Sequence, residues 1–392
     1  MFSWFFLIVA VGGSCTSGAF LALALLGALK FHRARQAANR ERQGAGRPPV
    51  SVLKPLHGLD PRLRENLESF YRQDYPNYEI LFAVDTADDP AASVAREVSR
   101  QYPQIPTRIL VTGEAPWPNP PAWCFSAMAE AASNDIFVTS DSDVFVNPSY
   151  LREIVSPLLD RKVGMVTCVY RGHNAGGFWS GMDAIGMSVE MTAGVLTANL
   201  LEGMKFGLGP TIAVRRDSLA AAGGYATLAD YFANDFMIGN LIAKAGYEVR
   251  LSDHIIDHVV APMSFLQMWR RQIRWAASTR FSRPKGHFGS VLTFSVPYGI
   301  LGLIAGLLSG HATLGVAVFT LCVLNRVTES LAIGWGVVRD PVCRRSPWLY
   351  LVRDLLGFAL WLGSYFTRRS LWRGGQYTLV KGGKIIRTAV TG

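Results

Sequence analysis

From Met1 to Leu29 the chain carries no charged side chain, and this run exceeds the roughly 20 apolar residues that a helix needs to cross a bilayer core of about 30 Å. A chain built this way is expected to hold that end in a membrane. A cleaved secretory leader is the competing reading, but no basic segment precedes the run and no convincing small-residue cleavage site follows it. Lys30, Arg33, Arg35, Arg40, Arg42 and Arg47 come next, opposed only by Glu41. By the positive-inside tendency, this basic linker (31–49) and the domain after it stay on the cytosolic side.

A second apolar region, Gly286 to Asn325, also lacks charge. At ~1.5 Å per residue it is about twice as long as one crossing requires, so residues 286–338 are expected to form two passes, broken at Ser309-Gly310-His311. The second pass takes in Arg326 and Glu329, which share one helical face and relieve each other's charge as a pair. A helix that begins deeper would instead leave Arg326 near an interface. The stretch from Trp348 to Phe366 holds Arg353 and Asp354 and is followed by Arg368, Arg369, Arg373, Lys381, Lys384 and Arg387. A full crossing would export that basic tail (367–392), so residues 346–366 read as a re-entrant or interfacial helix.

The formal net charge of +10 comes largely from these flanks. It points to anionic lipid head groups as partners, and not to nucleic acid. Five cysteines (Cys15, Cys124, Cys168, Cys322, Cys343) are scattered without a Cys-x-x-Cys spacing, which fits reduced thiols in a cytosolic domain and indicates neither a disulfide framework nor a zinc site.

Between residues 50 and 285 strand and helix signals alternate. Val50 to Leu53, Tyr78 to Val84, Thr107 to Val111 and Ile136 to Ser140 read as strands; Arg62 to Tyr71, Ala91 to Tyr102 and Ala122 to Ala132 read as helices. The alternation predicts an α/β domain with a doubly wound, mostly parallel sheet, in which ligands bind beyond the carboxyl ends of the strands. Glycine-rich fingerprints of the G-x-G-x-x-G or G-x-x-x-x-G-K-[ST] kind are missing, which weakens dehydrogenase and ATPase readings.

The polar residues after each strand are therefore the ones that matter. Asp85, Asp88 and Asp89 follow the second strand, where carboxylates can receive the donors of a base and a ribose, although Asp, Thr and Pro are also ordinary turn formers. Asp141-Ser142-Asp143 follows a buried strand, and alternation turns both aspartates toward one hard cation, Mg²⁺ or Mn²⁺. A cation held there would stabilise a departing diphosphate. Asp235 opens an apolar-periodic helix, as a cap or as a general base. Arg271, Arg274 and Trp275 share one helical face suited to a diphosphate and a stacked ring, or else to solvent and lipid. His254 and His258 also share a face, but the strand-like alternation from Tyr247 to Leu251 favours hydrogen-bonded histidines over a metal pair. Met182, Met187, Met191 and Met204, with Phe178 and Trp179, mark an apolar region that either faces an acceptor or packs the core.

The order Asp89, Asp141, Asp235, Arg271-x-x-Arg274-Trp275 resembles the signature of the ceramide glucosyltransferases and related family 21 enzymes, which have the GT-A fold. The likeness extends over most of the chain. It takes in the N-terminal anchor, Lys54-Pro55 on the first strand, Asp88-Asp89-Pro90, Asn234-Asp235, and C-terminal membrane segments ending in Trp372-Arg373-Gly374.

The resemblance implies that Lys54, Asp89, Asp141, Arg271, Arg274 and Trp275 bind the donor and that Asp141 and Asp143 hold the metal, with His258 as a further candidate ligand. Asp235 would be the base. The implied reaction is inverting transfer of one sugar from a UDP-sugar to a membrane lipid, giving a β-glycolipid. One departure is the stretch Asn119-Pro120-Pro121-Ala122-Trp123-Cys124, which lacks the lysine such relatives carry there. A hopanoid or diacylglycerol acceptor, a processive polysaccharide synthase and a non-catalytic lipid-binding scaffold remain the alternatives.

Overall fold

The computed structural model describes residues 2–41, 46–372 and 375–388; Arg42, Arg373 and Gly374 lie outside them. Helix α1 (Phe2–Glu41) continues without a break past the last apolar residue and through Lys30, Arg33 and Arg35. No proline interrupts that stretch, and Ala, Arg, Leu and Gln are strong helix formers, so the expected linker begins as helix. Near Ala24, Ala28 and Phe31 the helix joins the main core of the domain, packing beside Leu196.

The domain runs β1 (Val50–Pro55), α2 (Leu63–Tyr71), β2 (Tyr78–Val84), α3 (Pro90–Gln101), β3 (Thr107–Val111), α4 (Pro120–Ala131), β4 (Ile136–Ser140), β5 (Val144–Phe145), α5 (Tyr150–Val155) and β6 (Val163–Asn174). It continues with α6 (Phe178–Ile185), α7 (Thr192–Leu201), β7 (Thr211–Arg215), α8 (Arg216–Ala221), α9 (Asn234–Lys244), β8 (Glu248–Val260) and α10 (Phe265–Ser282). The eight strands form one sheet in the order β3-β2-β1-β4-β7-β6-β8-β5. Strands β1 to β4 pair in parallel, while β7 and β5 run antiparallel to their neighbours.

Both faces of the sheet are covered, as alternation requires. Val50, Val52, Ile80, Phe82 and Val138 pack against α2, α3 and α5, whereas Leu53, Leu81, Ala83 and Phe137 pack on the other side with α1, α4 and α9. This is the doubly wound, mostly parallel sheet expected of a GT-A domain. Its parallel half directs the ends of β1, β2 and β4 toward a common rim.

Beyond the domain come α11 (Pro284–Gly289), α12 (Val296–Leu308), α13 (Ala312–Glu329), α14 (Pro341–Arg345) and α15 (Leu349–Ser364). Helices Ser3–Ala38, Phe178–Leu201 and Ala312–Trp335 are long and apolar enough to cross a membrane, and Pro284–Thr293 with Val296–Leu308 forms a fourth candidate bent by 51°. Where the first of two passes is expected after residue 286, the helix is broken near Phe294 and Ser295. At the break a carboxylate from another helix caps the start of α12: Asp354 Oδ2 of α15 accepts from the amides of Ser295 (3.0 Å) and Val296 (2.7 Å).

Arg326 and Glu329 pair as their spacing predicts, at 2.5 Å and fully buried. Asp354 is the additional partner, 3.7 Å from Arg326 Nε. Strands β9 (Arg369–Trp372), β10 (Gly375–Val380) and β11 (Lys384–Thr388) form a small antiparallel sheet. Tyr377, Leu379 and Ile385 bury themselves against Ala277 of α10 and Phe232.

Candidate active site

Three chain segments converge at the rim. The loop after β4 carries Asp141-Ser142-Asp143, and its shape is fixed from several directions. Lys54 Nζ donates to the carbonyl of Asp141 (2.6 Å) and to Ser140 Oγ (3.3 Å). Asn66 donates to the carbonyl of Ser142 at 3.2 Å, the Ser142 hydroxyl donates to Asp60, and the Asp141 amide donates to the Pro210 carbonyl at 3.2 Å. Lys54 is fully buried over the ring of Phe70, and that burial pulls its ammonium down to about 7 against the opposing carboxylates of Asp141, Asp143 and Asp60. It acts on the rim by holding the Asp141 loop, and it is not part of the cavity wall described below.

Strand register brings the second segment in. Val144 pairs with His258 across β5 and β8, and the Val259 amide donates to the Asp143 carbonyl at 2.8 Å. The side chains consequently meet, with Asp143 Oδ2 3.3 Å from His258 Nε2. His258 is buried, and burial together with the nearby Arg271 lowers its basicity, while Asp143 pulls the other way. A neutral imidazole beside a carboxylate is the donor set that divalent cations accept. Asp143 Oδ1 and His258 Nδ1 are buried without a hydrogen-bond partner among the described residues.

His254 has a different role. Its Nδ1 lies 2.8 Å from Glu153 Oε2 of α5, and its ring tilts against Tyr150. His254 is thus a hydrogen-bonded histidine on strand β8. Among the described residues no group of three or more His, Cys, Asp or Glu side chains stands ready to hold a metal.

Helix α10 supplies the cations. It starts with a capping box built by Ser264 and Gln267, which fixes its entry. Arg271 Nη2 lies 3.2 Å from His258 Nε2, and its guanidinium carbon stands 4.8 Å from the centre of the Trp275 ring. Asp183 of α6, buried and easily overlooked in the sequence because no motif marks it, grips the helix from behind. It faces Arg271 Nε at 3.5 Å and hydrogen-bonds to Gln272. Arg274 is brought down to about 10 by burial and by its neighbour Arg271, so it is still a cation at neutral pH.

Asp235 lies in the first turn of α9, whose N-cap is Ala233 with no side-chain capping bond. Burial raises its pKa from the ordinary carboxylate value and so makes it more basic, partly offset by the backbone amides of Phe236, Gly209 and Asp235 itself. Gly209 lets the carboxylate approach closely, because a Cβ at that position would come 3.0 Å from Asp235 Oδ2.

Asp141, Tyr170, Asp235, His258, Arg274 and Trp275 all line one cavity of about 450 Å³. Of the residues singled out in the sequence, Asp143 and Arg271 border it through His258. Asp89 sits apart: it caps α3 by accepting from the Ala91 amide (2.8 Å), and both its oxygens accept from the Gly58 amide (3.1 Å). Its position ties the β1 and β2 exit loops together. Met191 lines the cavity, while Met182 and Met204 are core.

The model of glycosyl transferase family 21 matches residues 15–385. Ceramide glucosyltransferase 1 of Caenorhabditis elegans is 24% identical over 343 residues, covering 86% of this chain and 73% of that one. Ceramide glucosyltransferase 3 of the same organism is 24% identical over 238 residues, 60% of this chain, and the match spans only about half (52%) of its length. A ceramide glucosyltransferase of Komagataella phaffii is 34% identical over 114 residues, 28% of this chain and 22% of its own. Among solved structures, the mannosyltransferase PcManGT from Pyrobaculum calidifontis, in complex with GDP-Man and Mn²⁺, is similar with a TM-score of 0.48 and 19% identity over 88% of this chain and 98% of that one. With its family model covering nearly the whole sequence, the chain belongs to glycosyl transferase family 21.

Proposed function

We propose that this glycosyltransferase moves a single glucose from UDP-glucose to the hydroxyl of a membrane lipid, ceramide, with inversion at the anomeric carbon. The observation that carries the reading is the shared cavity: Asp141, on the metal-type loop, and Asp235, a carboxylate made more basic by burial, face one space with Arg274 and Trp275. The lipid hydroxyl oxygen attacks the anomeric carbon and forms the new C–O bond. The bond to the β-phosphate oxygen breaks with its electron pair leaving on UDP, and the hydroxyl proton passes to Asp235. Inversion turns the α-linked donor into a β-glycolipid.

Arg271 and Arg274 provide positive charge for the diphosphate, and Trp275 offers a ring face. Asp141, Asp143 and His258 have the donor chemistry for Mg²⁺ or Mn²⁺, and the partnerless Asp143 oxygen fits that role. Such an ion, when bound, supplies charge neutralisation to the leaving diphosphate. Asp89, at the exit of β2, serves the nucleotide. The catalytic domain works on the cytosolic side, by the excess of Lys30, Arg33 and Arg35 after the apolar part of α1, and the basic flanks bind anionic head groups.

The test is incubation of the purified protein with labelled UDP-hexoses, Mg²⁺ or Mn²⁺ and a lipid panel containing ceramide, a hopanoid and diacylglycerol. Label in a ceramide product carrying one sugar is expected. Label confined to another lipid replaces the acceptor, longer glycans reinstate a processive synthase, and no lipid-soluble label removes the reading.

A further inference from the structure

A second cavity, of about 390 Å³, adjoins the first: Tyr170, Met191, Trp275 and Thr279 stand in the walls of both. Its floor is a buried polar network that the sugar-transfer chemistry does not use. Arg353 of α15, 4% exposed, gives its Nη2 to Glu190 (2.8 Å) and to Gln272 (3.2 Å). Its Nε and Nη1 are buried with no hydrogen-bond partner among the described residues. Gly186 makes room for that guanidinium, since a Cβ there would fall 2.3 Å from Arg353 Nε.

Through Gln272 the network reaches Asp183 and the helix bearing Arg271. Phe20 of α1, Phe294 and Leu360 supply apolar wall, and α1 is a candidate spanning helix.

Buried donors without partners are costly unless something supplies an acceptor. Around this cavity Arg326 and Arg353 face Glu190, Glu329 and Asp354, so the local charge leaves no surplus for an anionic ligand. A neutral head group with a carbonyl to accept from Arg353 and a hydroxyl or amide to donate to the half-exposed Glu190 fits this surface. A phosphate does not.

We propose that the second cavity is the acceptor subsite, in which Arg353 and Glu190 hold the neutral, amide- and hydroxyl-bearing head of a lipid whose hydrocarbon lies along Phe20 and Phe294. The inference rests on the reading of the chain as a lipid glycosyltransferase. It sets the lipid head beside the donor cavity, across the walls that Tyr170, Met191, Trp275 and Thr279 share, so that its hydroxyl can reach into the space that Asp235 lines.

Gly194 lines this cavity and has no atom within 4 Å of where a Cβ would stand, so Gly194→Trp fills the space without displacing backbone. In full-length protein in phosphatidylcholine nanodiscs, Gly194→Trp is expected to raise the KM for ceramide at least tenfold. UDP affinity, measured by calorimetry, should stay within twofold. Glu190→Gln, nearly isosteric, is expected to raise that KM several-fold and decides the matter if Gly194→Trp does not fold. Retained UDP affinity with an unchanged ceramide KM in the folded variants overturns the proposal.

A second arm is independent of turnover. A photoactivatable ceramide is expected to label peptides around residues 186–194 and 353–361, and excess ceramide but not phosphatidylglycerol should displace it. Labelling elsewhere, or displacement by phosphatidylglycerol, also overturns the proposal. Absence of sugar transfer to any lipid by the wild type would count against the proposed reaction, while the labelling result would still decide whether the cavity takes a neutral lipid head.

Discussion

Asp143 and His258 stand 3.3 Å apart because Val144, next to one, pairs in register with the other across β5 and β8. The register is a backbone pairing, so the strands stay in place when either side chain is changed. His258→Ala and Asp143→Asn are each expected to lower transfer at least 100-fold while the protein keeps its thermal midpoint within a few degrees. Both should weaken Mn²⁺ binding, read by electron paramagnetic resonance. Unchanged Mn²⁺ binding in both variants would remove these residues from the ligand set.

Asp235→Asn removes the base while preserving shape, and turnover should fall by roughly 10² to 10⁴ with UDP-sugar affinity retained. The pH dependence follows from the direction of its shift. Burial raises Asp235, and the protonated acid cannot take a proton, so wild-type activity is lost as pH falls, with a midpoint above the ordinary carboxylate value of about 4. In Asp235→Asn the residual rate should lack that acid limb; a limb unchanged in position would assign it to another group.

Lys54 touches the reaction only through the Asp141 loop. Lys54→Met keeps the apolar stem over Phe70 but loses the bonds to the Asp141 carbonyl and Ser140 Oγ. The expected result is a tenfold or greater loss of kcat/KM together with weaker UDP binding, measured on a folded protein. A variant with wild-type kinetics would make that lysine dispensable to the rim.

Arg326 is enclosed by Glu329, Asp354 and the Thr293 carbonyl. Arg326→Met leaves two buried carboxylates uncompensated, and breaking a buried pair in this way costs about 3–5 kcal/mol. Thermal unfolding in detergent should show a drop of many degrees. Adding Glu329→Gln to Arg326→Met should recover part of it, whereas an unshifted midpoint in the single variant contradicts the pairing.

The C-terminal sheet is tied to the segment that leads into Asp235. The Phe232 amide donates to the Gly383 carbonyl at 3.0 Å, the Ile385 amide to the Asp230 carbonyl at 2.7 Å. Ending the chain at Thr367 uncovers Phe232 and Ala277 and frees this segment. Transfer should fall at least tenfold while the shortened protein still fractionates with membranes, and full activity would show that the sheet does not support the site.

Much of this was legible before any coordinates. The strands β2, β3 and β4 have the bounds their alternation predicts, and the break at Ser309 to His311 separates α12 from α13, because both signals are local: residue pattern in one case, polar and glycine residues in the other. The pairing of Arg326 with Glu329 was legible for the same reason. What escaped was long-range. Asp183 and Asp354 carry no motif, and their roles depend on helices distant in sequence, α10 and α12, being packed beside them. The tail was read as charge, yet alternate residues Tyr377 and Leu379 carry the burial of a short sheet. The bonds that Asp89 accepts from Gly58 and Ala91 are likewise set by the meeting of two loops and have no signal in the sequence around it.

The most direct test of the account is the anomeric configuration, by proton NMR, of the lipid product that purified protein makes from UDP-α-glucose and ceramide, compared between wild type and Asp235→Asn. The account predicts one β-linked glucose per ceramide, formed at a rate that collapses in the variant. An α-linked product, or a variant that works as fast as the wild type, would contradict it.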